Sequence, residues 1–156
     1  MSARRPAVLF VCLGNICRSP LAEAAFRREA DAAGLTVEID SAGTGNWHVG
    51  NPPDARAQEV ALAAGVDISG LRARQLAAAD YRRFTHIFAM DAQNLADIRA
   101  RAPHDATAEM ALLLDLVPGR EGASVQDPYY DGEEQFEYAW ADVSAAAREL
   151  VAKLAG

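Results

Sequence analysis

Six apolar residues in unbroken succession, Ala7-Val8-Leu9-Phe10-Val11-Cys12, lead into a loop carrying Gly14 and Asn15, and the loop leads into a helical pattern from Pro20 to Ala33. So short a continuous apolar run reads as a strand buried on both faces. Ser19 stands at the helix start as its cap, Pro20 falls in the first turn, and Gly34 lies just past the end. A strand-loop-helix unit of this kind points to a parallel sheet, because a parallel neighbour is reached only by a crossover along the sheet's face.

The rest of the chain repeats the alternation. Val37–Ser41 reads as a second strand, and the loop Ala42–Pro53 leads to a helix capped by Asp54 and ending near Gly65. After a polar bridge, His86–Met90 makes a third strand, and Asp91 caps a helix stopped by Pro103. Met110–Leu114 is read as a fourth strand rather than a helix because the run is brief. An irregular stretch, Val117–Asp131, precedes a long amphipathic helix over Glu133–Leu154. The expected class is α/β, a parallel sheet with helices on both faces, and one domain over residues 1–156 accounts for the whole length.

Composition enters mainly by exclusion. A formal charge of −7 argues against a general nucleic-acid binder. No apolar run approaches the roughly 20 residues of a membrane-spanning helix. Arg4 and Arg5 ahead of the first apolar run imitate a signal peptide, but Gly14, Asn15 and Arg18 soon break that run, so it reads as a buried strand in a cytoplasmic protein. Two cysteines, Cys12 and Cys17, suit a reducing compartment. Their spacing is not a zinc pattern, and His48, His86 and His104 form no helical ligand pair, so no metal cofactor is expected.

The chemistry concentrates in Cys12-Leu13-Gly14-Asn15-Ile16-Cys17-Arg18-Ser19-Pro20, at the handover from strand to helix, where open α/β sheets bind ligands. Cys followed six positions later by Arg arises by chance after about one cysteine in twenty, so the context decides. Gly14 and Asn15 tolerate the left-handed backbone that turns N–H groups inward as an anion nest, and the helix adds its positive end. Such a nest favours a thiolate on Cys12, and the planar fork of Arg18 can grip two phosphoryl oxygens. The Ser19 hydroxyl can donate to the sulfur as well as cap the helix.

A phosphate monoester also needs an acid for its leaving oxygen. Asp127, held extended by Pro128, is the candidate. Tyr129 and Tyr130, with Trp47 as an opposite wall, can line a slot for a flat phenyl ring.

With those residues identified, the chain resembles the low-molecular-weight protein tyrosine phosphatases over nearly its whole length. The resemblance rests on Val8–Leu21, Asp40-Ser41-Ala42-Gly43, Trp47 to Arg56, Ala73-Arg74-Gln75, Met90-Asp91 with Asn94-Leu95, and Asp127-Pro128-Tyr129-Tyr130. It implies a four-stranded parallel sheet of order 2-1-3-4 between helices. It also implies Cys12 as nucleophile, Arg18 as phosphate clamp, Asp127 as general acid and then base, and residues Leu13 to Ser19 as the phosphate loop. Asn15 would organise that loop with Ser41, Ser19 would assist the thiolate, and Cys17 would form a reversible disulfide with Cys12. Implied partners are phosphotyrosine proteins or small aryl phosphates, with phosphate-like oxyanions as inhibitors; a monomer is favoured. Leu71-Arg72 departs from the pattern, lacking a His that some members carry.

Three rivals share these features. An arsenate reductase on the same fold needs relay thiols beyond Cys17, and none occurs downstream. A phosphoarginine phosphatase would have Thr where Ile16 stands. A silent phosphate-binding module would need neither nucleophile nor acid.

Overall fold

The computed structural model describes residues 5–156; Arg4, the first of the two basic residues ahead of the apolar run, lies outside them. Among these residues the strands are β1 (Ala7–Cys12), β2 (Glu38–Gly43), β3 (His86–Ala89) and β4 (Glu109–Leu112). The helices are α1 (Arg18–Ala32), α2 (Ala55–Ala63), α3 (Asp80–Arg83), α4 (Ala92–Arg101) and α5 (Glu133–Ala155). The sheet is wholly parallel, in the order β2-β1-β3-β4.

All six residues of β1 are buried, and their alternation divides the core in two. Val8, Phe10 and Cys12 face the layer built by α1, α2 and α5, where Phe26, Ala57 and Phe136 pack. Ala7, Leu9 and Val11 face α3 and α4, against Tyr81, Phe84 and Ile98. Phe10 meets Phe26 edge-on at 5.8 Å and stacks on Phe88 at 6.2 Å. Burying a ring of that kind contributes about 1.5–3 kcal/mol, which explains why the strand tolerates no polar residue.

Several boundaries differ from the sequence reading. α1 begins at Arg18, Cys17 holds the cap position, and no side chain caps it. Ser19 is therefore not the cap: its hydroxyl is taken by the site described below. β2 starts one residue later than expected and runs on to Gly43, because pairing with β1 persists to Cys12↔Gly43. β3 ends one residue before Met90, whose carbonyl accepts instead from the N–H of Val125 at 2.8 Å. β4 covers Glu109–Leu112, and Leu113 and Leu114 belong to a 3₁₀ turn, Leu113–Leu116. Both leucines stay buried, so hydropathy could not mark where the strand stops. The polar bridge ahead of β3 contains the short helix α3. The caps Asp54 and Asp91 behave as expected, accepting from the N–H groups of Arg56 and Asn94.

α1 and α4 cover opposite faces, so the order reverses between β1 and β3. A crevice opens at the carboxyl ends of these two strands, as it does wherever an open α/β sheet changes direction.

Candidate active site

The loop after β1 is pinned from outside by its carbonyls. Those of Cys12, Leu13 and Ile16 accept from the N–H groups of Thr44, Gly45 and Asp54 at 2.9, 2.9 and 2.8 Å. In a trans peptide the N–H points opposite to its C=O. The N–H groups of Leu13, Gly14 and Cys17 are accordingly aimed the other way, towards the cavity these residues line. Asn15 donates its own N–H to the Cys12 sulfur at 3.3 Å. Its φ of 59° is left-handed, a conformation Asn tolerates. Gly14, expected to share that conformation, does not adopt it. It provides space instead, since a Cβ there would come within 3.0 Å of the His48 ring. Gly43 is needed more acutely: a Cβ on it would lie 2.8 Å from the Leu13 carbonyl oxygen.

A buried hydrogen-bond chain orients the sulfur's surroundings, and its direction can be deduced. The N–H of Arg74 donates to Asn15 Oδ1 at 3.0 Å, which fixes the amide. Asn15 Nδ2 must then donate to Ser19 Oγ at 2.8 Å and to Ser41 Oγ at 3.0 Å. Ser41 passes its proton onward to Glu23 Oε1 at 2.7 Å, and Ser19 Oγ lies 3.1 Å from Cys12 Sγ, where it donates whenever the sulfur is a thiolate. Donors aimed at a sulfur stabilise it when it carries negative charge.

Glu23 closes this chain and was not singled out in the sequence. It is 1 % exposed on α1, and burial raises its pKa above the ordinary 4.5, against hydrogen bonds from Arg27 and Ser41 that lower it. A carboxyl whose folded pKa is raised binds its proton more tightly in the folded state. Its contribution is most favourable below 4.5 and is lost as pH rises through the folded value. Measured by urea unfolding, the stability of wild type minus that of Glu23→Gln should therefore fall with pH above 4.5, by at most about 1.4 kcal/mol per pH unit. A difference that stays level or rises would remove Glu23 from the linkage.

Arg18, 3 % exposed, lies deep in the site. Its Nη1 donates to Asp91 Oδ2 at 2.6 Å and to the Val125 carbonyl at 3.2 Å, and Nη2 lies 3.5 Å from Asp127 Oδ2. Burial opposes the charge on Arg18, but the Cys12 sulfur, Asp91 and Asp127 more than offset it and the pKa is raised. Asp91 thus serves twice, capping α4 with one oxygen and fixing the guanidinium with the other. Asp127 accepts from the N–H of Tyr129 through Oδ1 at 3.1 Å, leaving Oδ2 to face the cavity side of Arg18.

The cavity, about 400 Å³, is lined by Cys12, Arg18 and Asp127 together with Trp47, His48 and the two tyrosines. That volume suits a small aromatic ligand. Trp47 is 69 % and Tyr130 is 92 % exposed, so these rings form a rim, while Tyr129 packs against the core. His48, not anticipated, faces Tyr129 with ring centroids 6.2 Å apart. Leu13, Ile16 and Cys17 also line the cavity. Burial pushes the Cys17 thiol up, with Asp54 and Cys12 adding to the effect, and both cysteines are free thiols.

A family model described as low molecular weight phosphotyrosine protein phosphatase matches residues 7–156. The low molecular weight protein-tyrosine-phosphatase YfkJ of Bacillus subtilis is 44% identical over 149 residues, which cover 94% of each chain. A crystal structure of a protein tyrosine phosphatase from Entamoeba histolytica superposes with a TM-score of 0.90 at 34% identity, covering 96% of this chain and 97% of that one. The structure named as DARP, drosophila arginine phosphatase, superposes with a TM-score of 0.88 at 32% identity, covering 94% and 96%.

Proposed function

Because the chain belongs to the low molecular weight phosphotyrosine protein phosphatase family, we propose that it hydrolyses phosphotyrosine in proteins and small aryl phosphates through a cysteinyl-phosphate intermediate, without a metal ion. The observation that carries this reading is the convergence of the Cys12 sulfur, the Arg18 guanidinium and the Asp127 carboxyl on one cavity.

The phosphoryl oxygens enter the nest of N–H groups and the fork of Arg18. The Cys12 sulfur attacks phosphorus in line, the bond from phosphorus to the phenolic oxygen breaks, and Asp127 gives its proton to the departing oxygen. Water then attacks phosphorus, Asp127 takes a proton from it, and the phosphorus–sulfur bond breaks to release inorganic phosphate. Ser19 donates to the sulfur as it leaves. Phosphate-like oxyanions compete for the same nest. Two free thiols suit the cytoplasm.

The aromatic rim favours a phenyl ring over an alkyl phosphate. Burying roughly 100 Å² of ring at about 25 cal/mol/Å² gives about 2.5 kcal/mol, close to 10²-fold. Phosphoarginine is the competing substrate, as a structural neighbour bears that name, but Ile16 and the rim suit a flat apolar ring better. The expected result in EDTA is that kcat/KM for a phosphotyrosine peptide exceeds that for matched phosphoserine and phosphoarginine peptides by about 10²-fold or more. Faster release from phosphoarginine would reverse the substrate assignment.

A further inference from the structure

The segment bearing Asp127 has no regular structure of its own; Arg18 reaches the Asp127 carboxylate at 3.5 Å, and Arg56 holds the segment's backbone. Arg56, in the first turn of α2, donates through Nη1 to the Asp131 carbonyl at 2.8 Å and through Nη2 to the Tyr129 carbonyl at 2.9 Å. Among the described residues, the hydrogen bonds that tie residues 127–131 to another part of the chain both come from Arg56. The guanidinium is itself fixed: Nε and Nη2 grip the Asp54 carboxylate at 3.0 and 3.1 Å, and the plane lies 4.5 Å from the Phe136 ring centroid. Asp54 in turn donates its N–H to the Ile16 carbonyl, within the loop that carries Cys12. The first turn of α2 is therefore a spacer, with the nucleophile's loop on one side and the acid's loop on the other.

We propose that Arg56 is a positioning residue that sets the height of Asp127 over the Cys12 loop, so that its proton reaches the leaving oxygen. The proposal rests on the reading of Asp127 as general acid. Arg56 lies outside the lining of the cavity and acts only through the loop. Proton transfer demands hydrogen-bond reach, and a shift of about 1 Å can cost on the order of 10²-fold. The loss must therefore carry the signature of a missing acid. Substrates with a poor leaving group suffer, and those whose leaving group needs no proton are spared.

The test is kcat/KM for a series of aryl phosphates, from dinitrophenyl to phenyl phosphate, in wild type, Arg56→Gln, Asp127→Asn and the double variant. Comparing two substrates on one sample cancels any difference in the fraction folded. Wild type should depend weakly on leaving-group pKa, and Asp127→Asn steeply. Arg56→Gln should lose about 10- to 10²-fold on phenyl phosphate and little on dinitrophenyl phosphate. In the double variant Arg56→Gln should add no further dependence to that of Asp127→Asn. An equal loss on every substrate, or a full additional loss in the double variant, would overturn the proposal. A shallow dependence in Asp127→Asn itself would instead overturn the assignment of the acid, which separates the two failures.

Discussion

Cys12→Ser should lower kcat on a phosphotyrosine peptide by about 10⁴- to 10⁶-fold, the loss expected when a covalent nucleophile is removed and the binding groups stay. The change exchanges one atom and leaves the cavity its shape. The N–H of Asn15 and the hydroxyl of Ser19 remain aimed at the same point, 3.3 and 3.1 Å from the native sulfur. Those donors can stabilise charge on a thiolate, but an alcohol stays protonated beside them at neutral pH. Among the described residues, no imidazole is hydrogen-bonded to Cys12 to activate a hydroxyl there. Binding depends on other groups, namely the inward N–H groups and Arg18. Calorimetric titration of Cys12→Ser with inorganic phosphate should therefore give a Kd within about threefold of wild type, since serine keeps the hydrogen bonds that shape the loop. Retention of more than about 1 % of wild-type kcat would show that chemistry does not pass through this sulfur. Loss of both turnover and phosphate binding would mean that the loop needs sulfur to hold its shape.

How far the sequence could carry this account depends on the range of the interactions concerned. The strand Ala7–Cys12 was legible because all six residues are apolar, and the caps Asp54 and Asp91 because a cap is a bond between near neighbours. Ser19 shows where local reasoning stops. A Ser before Pro at a helix start satisfies every rule for a cap, yet its oxygen is taken by Cys12 and Asn15. The same limit hid the second duty of Asp91, whose partner Arg18 lies 73 positions away. Glu23 lies mid-helix with no local signal of burial, and its partner Ser41 on β2 is 18 positions away. Gly14 was assigned a backbone need when the need is for room beside His48, a contact no spacing rule contains. What was legible of the site is thus the loop as a string of residue types. What was not legible is the supporting shell, built from carboxylates and arginines that meet across the crevice.

That shell bears on the second large effect. Arg18→Lys should lower kcat by about 10³- to 10⁵-fold, the range in which a guanidinium that meets a transferring phosphoryl group contributes. Arg18 is buried and oriented before substrate arrives: Asp91 and the Val125 carbonyl hold Nη1, so the other edge of the fork is turned to the cavity near Asp127. Charge spreads over three equatorial oxygens as the phosphoryl group transfers, and a planar fork meets two of them at once without reorganising. Lysine offers the same net charge from a single atom. If its ammonium pairs with Asp91 it is withdrawn from the phosphate, and if it reaches the phosphate Asp91 loses its partner. Because the contact strengthens as charge develops, KM should change by less than about tenfold while kcat falls. Steady-state kinetics on a phosphotyrosine peptide separates the two parameters, and circular dichroism melting checks that the variant folds. A folded Arg18→Lys protein that kept more than about a tenth of wild-type kcat would reduce Arg18 to a binding charge. The nest of backbone N–H groups would then have to carry the transition state without it.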